Sequence, residues 1–495
     1  MDKQPDANDA ISQVPTAAKL AADGVNLPGV GVSGEGVGSS QGHPVALRFF
    51  FWGEFAERSS YYGMRAILFL YLTKALHFSD TEATPIYSTF KMACYFLPLL
   101  GGYIADRWLG RYWTIVGFSV PYVLGHFILG IPNEIALIIA LALLAGGSGV
   151  IKPNISTLMG QTYDQQRPGQ ERLRSAAFLW FYFSINIGAL ISQLAMPELR
   201  DRFGYEVAFQ FPAWLMVGSL AVFAAGKRHY AVETPQRHEL SPEERKLQRQ
   251  TLVRLFGIFA LVVLFWVGYE HNDTLWIAFI RDYVALPRLP GQDKEIAPDQ
   301  LQFLNALFVI ILVPTFNFVF GRLDPDVKVF TPMRKVLAGF LLTAAAVGIM
   351  SAAGFLAQGH THQVSEAGKM LEVSTIKVSV LWPALAYIVL TFGEVLLYGT
   401  MLELAYTAAP KSMKGFITAC FLVTNTLGNF INVGWTPFYG GSLEDPLDKR
   451  GPLPPGQFFA ITAGVVVLAA VAFVFVGKRF ERRDAAQVEG VGLGE

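Results

Sequence analysis

Six residues in one stretch, Glu54, Glu57, Arg58, Tyr61, Tyr62 and Arg65, fall at offsets 0, 3, 4, 7, 8 and 11. That spacing places them on a single face of a helix. Two carboxylates, two guanidinium groups and two phenols so arranged can hold ions, exchange partners or carry a proton. The plain reading of the same spacing is a structural ladder, Glu54–Arg58 and Glu57–Arg58. The neighbouring sequence is apolar, so the face is expensive to expose to lipid: an ionisable group at mid-bilayer costs at least about 2.5–3.5 kcal/mol. The face must therefore look into protein or a watery cavity. Similar lone polar groups recur downstream. They are Lys152 in GSGVIKPN, Asn186 in FYFSINIG, the run Tyr269, Glu270, His271, Asn272 and Asp273, then Asn305, and Glu394 with Tyr387, Thr391 and Tyr398 at helical spacing. Each alone reads as a satisfied buried group. Together they point to a polar cavity fed by both ends of the chain. His271 reads as a hydrogen-bonded structural histidine, and Asp273 as the place where a helix reaches water.

The elements that must position these groups are membrane helices. Of 495 residues, 52% are apolar or aromatic and 16% are charged, against about 25% charged in an ordinary soluble domain. The segments Leu137–Ile151 and Phe458–Gly477 carry no charge until Lys152 and Lys478 follow them. Twelve hydrophobic spans are read, near 46–74, 83–104, 112–131, 134–159, 173–196, 207–226, 252–284, 300–320, 333–357, 379–408, 412–438 and 456–477. Backbone amides in lipid must be satisfied within the segment, so the spans are helices. Lys and Arg concentrate in alternate loops, from Arg107 and Arg111 through the 227–254 stretch to Lys478–Arg483. The positive-inside rule then puts those loops and both termini in the cytoplasm.

The charged segment 227–251 divides the chain into six-helix halves, 45–226 and 252–480, flanked by tails at 1–44 and 481–495. The first tail is rich in Gly, Ala and Ser without an apolar core, so it reads as a disordered tail and not a signal peptide. GVGVSGEGVG (Gly29–Gly38) lacks a preceding strand and reads as linker. The formal net charge of zero offers nucleic acid no attraction. Cys94 and Cys420 read as small buried hydrophobes, with no disulfide or metal pattern. Nothing resembles a nucleophile–base pair or a phosphate loop, so an enzyme is not expected. The expectation is an all-α membrane protein with the major facilitator layout, whose site lies between halves. GGYIADRWLGR (Gly101–Arg111) resembles that superfamily's signature turn.

GEFAERSSYYGMR (Gly53–Arg65) closely resembles the ExxERFxYYG signature of the proton-dependent oligopeptide transporter family. FYFSINIGAL (Phe181–Leu190) is similar to the second signature, FYxxINxGSL, and the segments around Lys152, Asn305 and Glu394 are also similar to family segments. Ser59 stands where the family usually has Phe, and Phe421 where many bacterial members have Trp. The resemblance implies a proton-coupled symporter importing di- and tripeptides by alternating access. It needs no cofactor beyond the coupling proton, works as a monomer, and sits multi-pass in the cell's inner (plasma) membrane. Arg65 and Lys152 would hold the peptide carboxylate and Glu394 its amine. Asn186 and Asn305 would bond its amide or termini, and Tyr61, Tyr62 and Tyr95 would wall the side chains. Glu54, Glu57, Arg58 and Glu394 would couple the proton, and Arg65, Glu270 and Lys152 would form a gate, with Arg65 and Glu270 pairing in one state. A proton-coupled carrier of another small anion or metabolite is the alternative within the family.

Overall fold

The structure, a computed structural model, describes residues 42–232, 241–288, 294–324, 329–366, 369–407, 414–443 and 450–492. The tail through residue 41, including Gly29–Gly38, the part of the linker at 233–240, and Lys411 lie outside the described residues. α1 (Ala46–Leu70) runs into a π turn at Tyr71–Ala75. α2 (Asp80–Ile104), α3 (Gly110–Leu129), α4 (Glu134–Gln166) and α5 (Glu171–Ala225) follow. α6 (Pro242–Tyr269) and α7 (Leu275–Tyr283) are separated by a 3-10 turn at Glu270–Asp273. α8 (Phe303–Leu323), α9 (Pro332–Ala357), α10 (Leu381–Thr407), α11 (Lys414–Trp435) and α12 (Pro455–Gly492) complete the chain.

Among the described residues, eight helical stretches are long and apolar enough to cross a membrane, which makes this a multi-pass, all-helical membrane protein. Helix starts are chemically marked. The Ser79 hydroxyl accepts from Glu82 N–H while the Glu82 side chain accepts from Ser79 N–H, a reciprocal cap for α2. Asn133 caps α4 in the same spirit. α5 holds together across a sharp bend at Gly204, whose φ of 82° is a conformation that glycine adopts without strain. At Gly101 the α2 and α4 backbones nearly touch: an added Cβ would sit 2.7 Å from Val150 Cα. Small residues at such contacts let membrane helices approach closely.

The buried apolar residues form two clusters. One is drawn from 46–230 together with Ile277 and Ala278, the other from 255–480. One detail departs from the sequence reading. The segment read as the linker 227–251 is helical from Pro242 onward, because α6 extends past its apolar stretch. The stretch between the spans read at 333–357 and 379–408 holds a hairpin of β1 (Thr361–Glu366) and β2 (Lys369–Ser374).

Contacts gather one set of helix ends together. Tyr71 Oη donates to Ile131 O at 3.1 Å. Arg281 Nη2 donates to Asp80 Oδ2 at 2.8 Å, and Leu443 N–H to Asp282 Oδ2 at 2.9 Å. Arg200 pairs with the fully buried Asp299, and Lys294 reaches Asp201 at 2.7 Å and Glu198 at 3.2 Å. Gln302 Nε2 donates to Ala66 O at 3.2 Å. Most of these bonds join one cluster to the other. Partial burial works against the Lys294 charge, but the Asp201 and Glu198 carboxylates outweigh it and hold the ammonium pKa above its ordinary value.

Candidate functional site

The face of α1 is buried as its cost in lipid requires. Glu54 is 0% exposed, Glu57 1% and Arg58 6%. Arg58 Nε donates to Glu54 Oε1 at 2.5 Å and lies 3.0 Å from Glu57 Oε2. One guanidinium thus serves two carboxylates. Neither Glu57 oxygen has a hydrogen bond among the described residues, so its link to Arg58 is one of proximity. One turn further along, Tyr61 is buried between two cations. Lys152 Nζ stands 3.5 Å from its ring centroid, and the Arg65 guanidinium 5.9 Å from it and 5.1 Å from that of Tyr62. Such stacking stabilises a desolvated cation by about 2 kcal/mol. Lys152 faces this ring; among the described residues no carboxylate lies within ion-pair distance of it. Tyr62, Arg65, Tyr95 and Lys152 each keep part of their surface open, whereas Glu54, Glu57 and Tyr61 are sealed.

The second half supplies the opposite charge. Glu394 on α10 accepts from Asn305 Nδ2 on α8 at 2.7 Å, and the same amide lies 3.1 Å from Thr391 Oγ1. Both Glu394 and Asn305 are partly open. Tyr398, one turn beyond Glu394, meets Trp266 edge-on and Phe421 at a tilt, with ring centroids 6.0 and 5.6 Å away. Phe421 therefore completes an aromatic wall, and Asn186 on α5 spends its Nδ2 on Tyr182 O at 2.9 Å.

Between the halves lies a four-charge cluster. Lys91 on α2, 2% exposed, donates to Glu270 and, at 2.6 Å, to Asp273. Arg65 reaches the other Asp273 oxygen at 3.4 Å, and Asn425 Nδ2 donates to Glu270 Oε1 at 2.6 Å. In a 3-10 turn residues i and i+3 eclipse, so Glu270 and Asp273 point the same way and one ammonium can bridge both. The pairing of Arg65 with Glu270, expected in one state, is not the pairing of this structure, where Arg65 meets Asp273 and Glu270 is held by Lys91. Asp273, read as a water-facing helix end, is 3% exposed because the turn swings it toward the first half. His271, read as a hydrogen-bonded structural histidine, lies by the Val267 backbone and sets its edge against Phe458, centroids 5.4 Å apart. Lys91 itself escaped the spacing argument. Its signal was a lone lysine inside the apolar helix DTEATPIYSTFKMACYFLPLLGGYI.

An all-helical, multi-pass protein with paired charges sealed between two clusters has the architecture of a membrane transporter. The POT family model matches residues 112–247 and 232–442, more than half of the chain, and the protein belongs to the POT family. The chain is 32% identical to human "Solute carrier family 15 member 2" over 362 residues, covering 63% of this chain and 49% of that protein. It is 31% identical to "Peptide transporter family 1" of Drosophila melanogaster over 362 residues, 63% of this chain and 47% of that one. The chain thus spans about half the length of the curated relatives it matches. The crystal structure of the POT family transporter PepTSo superposes with a TM-score of 0.75 at 27% identity, covering 89% of this chain and 99% of that one.

Proposed function

We propose that the protein is a proton-coupled symporter that imports di- and tripeptides across the plasma membrane by alternating access. The observation that carries this reading is the separation of charge. Arg65 and Lys152 flank Tyr61 on one half, and Glu394 stands with Asn305 on the other. A peptide at neutral pH is a zwitterion of fixed backbone span, so cations on one wall and a carboxylate on the opposite wall can hold its two ends. Tyr62, Tyr95, Tyr398 and Phe421 accommodate varied side chains between them. Glu54, Glu57 and Arg58 form the proton-coupling group with Glu394. The gate comprises Arg65, Lys152 and Glu270 together with Lys91 and Asp273.

Twelve crossings in two halves support the alternating motion. Of the eight apolar stretches, 80–129 and 176–225 are each 50 residues long and turn at Ala105–Leu109 and at Gly204. α1 and α11 supply the other two. With both termini in the cytoplasm, the ion-paired end faces outward, so this is the state closed to the outside. The driving force is sufficient for one proton per peptide. A pH difference of one unit supplies about 1.4 kcal/mol and a 100 mV potential about 2.3 kcal/mol, enough for roughly several hundred-fold accumulation.

The test is uptake of labelled dialanine into proteoliposomes of the purified full-length chain. Accumulation should require an imposed inward proton gradient and collapse with a protonophore. Absence of dialanine uptake under a gradient, with intact folded protein, would sink the proposal.

A further inference from the structure

We propose that Lys91 is a positioning residue for substrate binding: by neutralising the acidic turn Glu270–Asp273, it leaves the Arg65 guanidinium available to a peptide carboxylate. This rests on the reading of Arg65 as the carboxylate site.

The argument begins with who holds whom. Lys91 Nζ engages both carboxylates of the turn, at 2.6 Å to Asp273 Oδ2. Arg65 touches only the remaining Asp273 oxygen, at 3.4 Å, beyond the usual 2.7–3.2 Å of an N–H···O bond. Arg65 Nε has no partner among the described residues, and the side chain keeps 12% of its surface open. A guanidinium has five donors in a planar fork suited to bidentate carboxylates. Here most of that fork is unspent and lies beside the rings of Tyr61 and Tyr62.

Charge balance gives the second step. Lys91 and Arg65 offset Glu270 and Asp273, so the four-residue cluster is neutral. Remove the Lys91 charge and two carboxylates face one guanidinium in a dry interface. Asp273 then gains from closing onto Arg65 as a bidentate pair, and an incoming carboxylate meets a net negative group. Glu270 cannot relieve this by swinging aside. Its Oε1 is held by Asn425 at 2.6 Å, and Asn425 is itself bonded by Asn429 at 2.9 Å. Like-charge juxtaposition in a desolvated interface is costly, and Lys91 is the group that prevents it.

The experiment measures equilibrium binding of dialanine and of dialaninamide, which lacks the carboxylate, to purified full-length protein in detergent. Wild type should prefer the acid. Lys91→Gln should weaken dialanine about tenfold or more, equivalent to at least about 1.4 kcal/mol, while dialaninamide stays within about twofold. Adding Glu270→Gln to Lys91→Gln returns the cluster to neutrality and should restore most of the dialanine affinity. Lys91→Arg should behave as wild type. Glu270→Gln alone, which keeps Lys91 and so tests the same balance even if Lys91→Gln fails to fold, should strengthen dialanine relative to the amide. Equal loss of both ligands in Lys91→Gln, or no restoration in the double variant, overturns the proposal and leaves Lys91 a packing residue. A wild type that binds dialanine but does not distinguish it from its amide instead removes Arg65 as the carboxylate site, and the inference with it.

Discussion

Cutting the outer ion pair between Arg200 and Asp299 should open the protein to the outside. Asp299 is fully buried and Arg200 is 8% exposed, so the pair sits out of reach of screening salt. Breaking a buried pair by removing one partner costs about 3–5 kcal/mol when the other charge is left alone. Arg200 is not left entirely alone: its Nε keeps Asp201 at 2.7 Å, and its guanidinium lies 5.7 Å from the Tyr205 ring centroid. A cost of about 2 kcal/mol is therefore the working figure for Asp299→Ala, below the range for a stranded charge. The pair joins segments of different halves, so the cost falls on the closed state only. Two kcal/mol is a factor of about 30; an outward-open population on the order of 1% would rise to roughly a quarter. The assay is labelling by a membrane-impermeant maleimide in right-side-out vesicles, with a cysteine at Thr84, which is 1% exposed, in a Cys94→Ser, Cys420→Ser background. Labelling should accelerate by an order of magnitude or more in Asp299→Ala, and the charge swap Arg200→Asp with Asp299→Arg should bring it back. If the rate is unchanged in a variant that folds and melts normally, the pair does not bias the closed state and the reasoning fails.

Three further outcomes follow from the same geometry. Glu394→Gln should weaken dialanine by about 1.5–3 kcal/mol, the range for a hydrogen bond to a charge. It should also narrow the gap between dialanine and N-acetyl-dialanine in competition assays; equal competition by both ligands in wild type would count against an amine site. Glu57→Gln keeps the size of the side chain but cannot titrate, so it should preserve peptide exchange across proteoliposomes and abolish concentrative uptake; intact pH-driven accumulation would remove Glu57 as a proton carrier. Gly101→Val should destabilise the protein by about 1–3 kcal/mol, the usual cost of overpacking, because its side chain would begin 2.7 Å from Val150 Cα; a melting temperature in detergent that does not fall would show that α2 and α4 can part without penalty.

The α1 face was legible because two independent constraints agree on it. Helical spacing groups the six residues, and the cost of charge in lipid forbids the group an outward orientation. Glu394 and Lys152 were legible by cost alone, since a single intramembrane charge signals a site but not its partner. Their partners came only with the structure, where Lys152 lies over Tyr61 and Glu394 is held by Asn305. Lys91 carries the same signal as Lys152 and was overlooked, so its absence from the sequence reading is a failure of application. The pairing of Arg65 with Asp273 in place of Glu270 is different in kind. It depends on the 3-10 geometry of Glu270–Asp273, and EHND between apolar segments does not reveal which helical type the turn adopts. The bend at Gly204 was equally hidden in detail, although the break between its two apolar stretches was plain from the charged run ELRDR.

Counting the buried groups as one system explains why a proton belongs in the proposed cycle. Glu54, Glu57, Glu270, Asp273 and Glu394 are five carboxylates; Arg58, Arg65, Lys91 and Lys152 are four cations. Fully ionised, the empty site carries one negative charge more than it can pair, in a region where an unpaired charge is expensive. A zwitterionic peptide is neutral overall, so its arrival redistributes the pairs without removing that excess: the amine satisfies Glu394, while the carboxylate claims Arg65 or Lys152. One proton on one carboxylate does remove it. One proton thus sets four carboxylates against four cations, and a zwitterionic peptide keeps that balance through a closed, water-free intermediate. Peptide without proton leaves one surplus negative charge in the same region. Coupling in this reading needs no dedicated relay; it follows from an odd number of buried charges distributed over two halves that must part.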